Sequence, residues 1–176
     1  MYPRGWASRL STDGVAATLR TDELREAVCA VCRRLYERGL IAGQDGNVSV
    51  RLDDESLLIT PAGLSKVDVR PEDLVELGLD GTVRRGAQRP SSELAVHLRA
   101  YQRRPDARAV VHAHPPAATA FAQARTPVAC MGTTHADYFR GSVPVTRPMT
   151  RREVEADYER NTGLVIVEAF ETLGLS

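Results

Sequence analysis

The segment VVHAHPP, from Val110 to Pro116, sets two histidines one residue apart at the end of an apolar run. On a β-strand the side chains at i and i+2 share a face. His112 and His114 therefore point one way, and Val111 and Ala113 the other. Imidazoles so placed can converge on one cation, at roughly 2.0–2.1 Å for a zinc–nitrogen bond. Two neutral rings buried side by side without partners would leave donors and acceptors unpaired. The bland alternative is a pair of hydrogen-bonded histidines closing a strand. The apolar flank and the Pro115–Pro116 stop favour the metal.

Other groups surround this pair in sequence. In PSSELAVHLRAY, Ser91 can cap a helix, and Glu93 then falls in its first turn, where the helix dipole favours an ionised carboxylate. Acidic residues are common at helix starts, but a carboxylate just upstream of two candidate ligands also suits a general base or a metal neighbour. His97 shares a helical face with Leu94, Leu98 and Tyr101 and reads as a hydrogen-bonded core histidine. GTTHADYF gathers Thr133, Thr134, His135, Asp137 and Tyr138 between two expected strands. There His135 is a candidate third ligand and Asp137 a candidate acid or base; a polar connecting loop with Asx-type hydrogen bonds is the plain alternative. Gly46–Asn47, Ala62–Gly63 and Ser91–Ser92 offer backbone, amide or hydroxyl donors that suit an anion, although ordinary turns explain each of them. The CAVC of Cys29–Cys32 lies inside an amphipathic helix rather than at a helix N-terminus after a strand, so core packing is favoured over redox chemistry.

Stepping outward, the elements that must hold these residues follow from periodicity and punctuation. Thr21 to Gly39 has helical spacing of Leu24, Ala27, Val28, Val31, Cys32 and Leu35, with Asp22 and Glu23 at its start and Gly39 at its C-cap. GNVSVRL and SLLIT are expected strands around a polar turn, TPAGLSK a loop, PEDLVEL either a helical turn or a strand, and LDGT a hairpin-type turn. Ser91 to Tyr101 is an expected helix, RAVVHAH a strand and PAATAFAQA a short helix, while TPVACM and GSVPVT read as strands. TRRE at Thr150–Glu153 is a capping box, so a helix should run to about Asn161. Alternating helices and strands imply an α/β or α+β fold: a single domain with a central, mainly antiparallel sheet flanked by helices.

The bulk numbers exclude several classes. The chain has 176 residues, which fits one domain, and its 23 Lys plus Arg balance 23 Asp plus Glu. Without a basic field, binding to nucleic acid or to an anionic membrane is not expected. Apolar runs such as LVIV are too short to span a bilayer. Residues 1–20 have no apolar h-region and read as a loose leader. Three cysteines make no disulfide framework, so a reducing, cytoplasmic location is expected.

Taken in order, GNVSVR, ITPAGLSK, the PSSE helix, RPDARAVVHAH and GTTHADYF resemble the class II aldolase/adducin family from about Thr21 onward. The resemblance implies a mixed α/β domain with an antiparallel sheet, usually assembled as a fourfold homotetramer. It implies that His112 and His114 hold a divalent metal, usually zinc, and that Glu93 acts there as ligand or proton shuttle. Gly46, Asn47, Ala62, Gly63, Ser91 and Ser92 match the pocket for the phosphate of a small phosphorylated ketose. Within the family, PSSELAVHLRAYQRRPDARAVVHAH is close to the fuculose-phosphate aldolase branch. GTTHADYFRGSVPVTRPMT and DYERNTGLVIVEAF are similar to the ribulose-phosphate 4-epimerase branch, where Asp137 matches a catalytic acid/base. The longer C-terminal similarity gives the epimerase more weight. Both branches imply retro-aldol cleavage of a C–C bond through a metal-stabilised enediolate. Family members continue into a strand with a His-Gly pair that brings the third metal histidine, and into C-terminal helices, whereas this sequence stops at Ser176 with four histidines. Residues 21–176 are therefore expected to form a domain without that C-terminal part, leaving LVIVEAF as an exposed apolar tail. A truncated chain, a degenerate copy and a diverged protein that uses His135 instead all fit, and a non-catalytic, adducin-like interaction protein is the rival reading.

Overall fold

The computed structural model describes residues 21–139, 141–172 and 174; the expected leader, residues 1–20, lies outside them. Helix α1, Thr21–Glu37, forms where the apolar spacing expects it. Gly39 at φ 64° ends it, with Leu40 N–H reaching back to Leu35 O at 2.9 Å, the wrap that a left-handed C-terminal glycine permits. Strands β1, Asn47–Arg51, and β2, Ser56–Ile59, follow around a turn in which Asp53 accepts from Glu55 N–H and Ser56 Oγ–H. PEDLVEL is both things it could be: a 3-10 turn at Pro71–Asp73, then strand β3, Val75–Gly78. The Asp80–Gly81 turn leads into β4, Val83–Arg85. Helix α2 spans Leu94–Arg103 and strand β5 spans Ala109–His112.

The five strands form one antiparallel sheet in the order β4-β3-β2-β1-β5, as the sequence implied. α1 covers one face, where Val28, Cys29 and Cys32 pack with Val48, Val69 and Leu74. On the other face lie Leu57, Ile59, Val75 and Leu77 with Tyr101 of α2. β2 is buried along its whole length because both faces are covered. Cys29 and Cys32 are fully buried core residues, as expected. Among the described residues, no helix is long and apolar enough to cross a membrane.

The segment after β5 departs from expectation. Short helices α3, Pro116–Gln123, and α4, Thr133–Tyr138, follow. TPVACM and GSVPVT do not become strands: Pro127 and Pro144 remove ladder donors, and one bridge, Val128 to Val143, with both bonds at 3.0 Å, is the pairing between them. GTTHADYF is therefore helix α4 rather than a loop; with no ladder to join, its backbone closes locally, Ala136 N–H to Gly132 O at 3.1 Å and Phe139 N–H to His135 O at 2.9 Å. The Thr150 capping box forms as read, but its helix, α5, Arg151–Ala156, stops early. Asp157 leaves helical geometry and its carboxylate caps Arg160 N–H at 3.1 Å, which starts α6, Tyr158–Thr172. The LVIVEAF tail is largely covered, with Leu164 left exposed. α6 packs against α2, burying Val165 and Val167, and Gly163 allows the approach: a Cβ there would lie 3.2 Å from Val96 Cα.

Candidate functional site

The site begins at a glycine. Gly46 takes φ 69°, and a Cβ on it would lie 2.8 Å from the carbonyl oxygen of His112. Only glycine both adopts that backbone and lets the loop close on the end of β5. The next residue, Asn47, then opens β1 directly opposite His112 in the antiparallel register. Across from them α2 starts. Ser91 N–H bonds Thr60 O, the Ser91 hydroxyl accepts from Glu93 N–H at 3.3 Å, and Leu94 N–H bonds Ser91 O. Glu93 thus sits immediately before the first helical residue, slightly earlier than the first-turn position expected from sequence.

These elements bring Glu93 and the histidine pair together. Glu93 Oε2 lies 3.3 Å from His112 Nδ1, and His112 Nε2 lies 2.7 Å from His114 Nε2. The ring centroids are 4.8 Å apart at 54°. Strand β5 ends at His112, and His114 is placed instead by its backbone N–H on Leu40 O at 3.1 Å; the rings face each other all the same. Burial holds His112 below the usual imidazole range, against the opposing pull of Glu93, with His114 adding to the lowering. Asn47 Nδ2 donates to Glu93 Oε2 in a short bond, and Asn47 Oδ1 pairs with His97 Nε2. His97 is completely buried, the hydrogen-bonded core histidine that its spacing implied.

Beside this cluster is a cavity of about 320 Å³. Gly46, Asn47, Ala62, Gly63, Ser91 and Ser92, the six expected anion-binding residues, all line it together with Glu93 and His114. Sequence reasoning missed six further lining residues, Gln44, Asp45, Pro61, Lys66, Tyr158 and Glu159. Lys66 is buried, and its ammonium donates to Gln44 O at 2.9 Å and Leu64 O at 3.0 Å, tying together two loops of the wall. Burial lowers its pKa, while Cys32, Asp45 and Glu93 oppose that. A lysine in a loop carries no sequence mark of burial, so the signal was absent there. In Tyr158 and Glu159 the missed signal was the break at Asp157, which starts a new helix at the cavity.

The structure does not bring every expected residue here. Asp137 is exposed on α4 and is not among the cavity-lining residues. His135 donates from Nε2 to Gly141 O at 2.8 Å, if that nitrogen carries the proton, and stands apart from the pair. Among the described residues, no group of three or more His, Cys, Asp or Glu is arranged to hold a metal ion. The donor chemistry of His112 and His114 nonetheless fits one. Two nitrogens of a tetrahedral zinc stand roughly 3.3 Å apart at bonds of about 2.0–2.1 Å, so the facing Nε2 atoms need part by only about half an ångström. Glu93 meets the other nitrogen of His112, so as placed it braces that ring, the carboxylate–histidine arrangement that orients a metal ligand.

Comparison with known proteins identifies the family and the fold. Residues 26–174 match the family model "Class II Aldolase and Adducin N-terminal domain". The chain is 43% identical over 154 residues to the L-ribulose-5-phosphate 4-epimerase UlaF of Salmonella paratyphi C, covering 86% of this chain and 66% of that one. It spans about two thirds of the length of such curated relatives. Among solved structures, L-fuculose-1-phosphate aldolase from Thermus thermophilus superposes with a TM-score of 0.71 at 34% identity, over 86% of this chain and 72% of that one. YgbL from Klebsiella pneumoniae superposes with a TM-score of 0.69 at 28% identity, over 85% and 72%.

Proposed function

We propose that this chain, which belongs to the class II aldolase and adducin family, is a metal-dependent sugar-phosphate enzyme working by retro-aldol cleavage, nearest to a ribulose-phosphate 4-epimerase. The observation that carries the reading is the shared cavity: the six residues expected to bind an anion line it beside Glu93 and His114. Their backbone, amide and hydroxyl donors would hold the phosphate and fix the substrate's reach toward Glu93, which is a positioning role. The Lys66 ammonium, held beneath the same wall, adds a fixed positive charge. His112 and His114 would hold a divalent metal, zinc by this reading, whose chemistry when bound is to polarise the ketose carbonyl and carry the negative charge left by C–C cleavage.

Glu93 is the proton carrier at the cavity, kept in place by Asn47 and by its contact with His112 Nδ1. For epimerisation the C4 hydroxyl loses its proton as the C3–C4 bond breaks. The phosphate-bearing aldehyde stays anchored, presents its other face, and the bond re-forms as the C4 oxygen takes a proton back. Asp137 is the proposed acid/base at the C4 oxygen; its exposed place on α4 suits a site completed by a neighbouring copy in a homotetramer. A cytoplasmic location goes with this role. Cleavage with release of both halves, as in a fuculose-phosphate aldolase, is the second reading, favoured by the likeness to the Thermus enzyme.

The test is direct. The chain, supplied with zinc, is incubated with L-ribulose 5-phosphate and with L-fuculose 1-phosphate, and C4 inversion and aldehyde release are followed separately. Inversion without release supports the epimerase; release supports the aldolase; neither, with no zinc retained, overturns the enzyme reading. His112→Ala should abolish stoichiometric metal binding. Asp137→Asn should lower inversion while metal content stays intact, and unchanged turnover would remove Asp137 from the mechanism.

A further inference from the structure

A buried line of hydrogen bonds runs between the sheet and α2 to the candidate proton carrier. Its far end is the Tyr101 hydroxyl on α2. Tyr101 lies 2.8 Å from Ser49 Oγ, and Ser49 Oγ lies 2.6 Å from His97 Nδ1. His97 Nε2 meets Asn47 Oδ1, and Asn47 Nδ2 meets Glu93 Oε2. The carboxylate end, with a neutral imidazole in the line, decides the direction of every bond. An ionised carboxylate can only accept, and a neutral imidazole donates from one nitrogen and accepts on the other. Asn47 must therefore turn its NH2 toward Glu93 and its oxygen toward His97. His97 must then carry its proton on Nε2 and accept on Nδ1. Ser49 must donate to His97 and accept from Tyr101. His97 is wholly buried, and the same burial pushes its pKa to about 4, so the ring stays neutral near pH 7.

We propose that His97 is a positioning residue: locked as its Nε2–H tautomer, it holds the Asn47 amide in the one orientation that donates to Glu93 and so keeps that carboxylate aimed at His112. Without the lock, Asn47 can flip and turn its oxygen on the carboxylate, which is repulsive. Polar chains of this kind polarise each member in one sense and act as a unit. The role deepens the retro-aldol reading of the site and rests on it for its catalytic meaning, but the tautomer itself does not depend on that reading.

Two measurements test it on the full chain. The first is long-range ¹H–¹⁵N correlation on histidine-labelled protein from about pH 6 to about pH 8, which reads each ring's tautomer directly. His97 should show a single Nε2–H tautomer throughout, and Ser49→Ala should let the Nδ1–H form appear. An Nδ1–H tautomer or an imidazolium in the parent chain overturns the proposal, whether or not any sugar phosphate is turned over. The second compares His97→Phe, which removes the donor, with His97→Gln, whose amide N–H replaces it. Phe should lower kcat roughly ten- to hundred-fold at a matched melting temperature, and Gln should recover most of that loss. Equal kcat in the two variants overturns the positioning role while leaving the retro-aldol activity of the parent standing. If Phe does not fold, the Gln variant and the Ser49→Ala tautomer still decide.

Discussion

Acid should loosen this fold through His97. Its pKa drops from 6.5 to about 4, chiefly through burial, with the nearby His112 pushing the same way. Between those values the unfolded chain binds a proton that the folded chain excludes. The sign follows: a histidine with a depressed folded pKa contributes stability that is whole above the unfolded pKa and shrinks as pH falls toward the folded one. At about 1.4 kcal/mol per pH unit across that window, lowering pH from about 7 to about 5 removes about 2 kcal/mol through this one group. A mesophilic domain holds only about 5–15 kcal/mol in total, so the loss is large. Burial lowers His112 as well, and its contribution has the same sign; the carboxylates held low, Asp53, Asp80, Asp106, Glu153 and Glu168, give way mostly at lower pH. Urea unfolding of the parent and of His97→Gln at both pH values separates His97 from the rest. The parent should lose about 2 kcal/mol more than the variant. Parallel losses would refute the claim that His97 is held neutral in the core.

Three further outcomes follow from local geometry. Gly46→Ala should cost about 1–3 kcal/mol for a side chain at φ 69°, and it should also weaken metal binding, because the new Cβ displaces His112 O; zinc titration and thermal melting read both. Gly163→Val should destabilise the chain by about 1–3 kcal/mol, since the α6–α2 approach leaves 3.1 Å to Arg99 Cβ; a chemical denaturation midpoint equal to the parent's would show that α6 shifts freely. Burial pushes the Cys29 and Cys32 thiols up to about 11, so iodoacetamide on the native chain should label Cys130 alone by mass spectrometry, with the other two reacting only on unfolding.

What the sequence disclosed was local. HAH, PSSE and the capping box at Thr150 place their groups within a turn or a strand step of one another, so spacing alone shows which side chains meet. α1 and the strands β1, β2 and β5 were legible for the same reason. The stretch from Arg125 to Arg147 was not. Its expected strands contain Pro127 and Pro144, and its one bridge gives the backbone little to gain from extension. α4 also hid behind its polarity, because every turn of so short a helix reads as a loop.

The least legible feature lies in NVSVR, a strand whose polar face the spacing does not place. Alternation tells which residues share a face, not which face meets water. Val48 and Val50 side with α1, so Asn47, Ser49 and Arg51 share the opposite face, and the spacing leaves its burial open. All three are buried. Arg51 donates to Tyr101 O and Ala107 O and stacks over the Tyr101 ring, while Asn47 and Ser49 hold His97. Burying such groups costs several kcal/mol unless each finds a partner, and among the described residues every buried side-chain nitrogen and oxygen has one. Those partners lie about fifty residues away, on α2 and, for Ala107, just beyond it, out of the reach of any periodicity. An apolar strand in that place would pack as well and need no such matching. The stability forgone is therefore best explained by what the polar face supports, which is the carboxylate at its end.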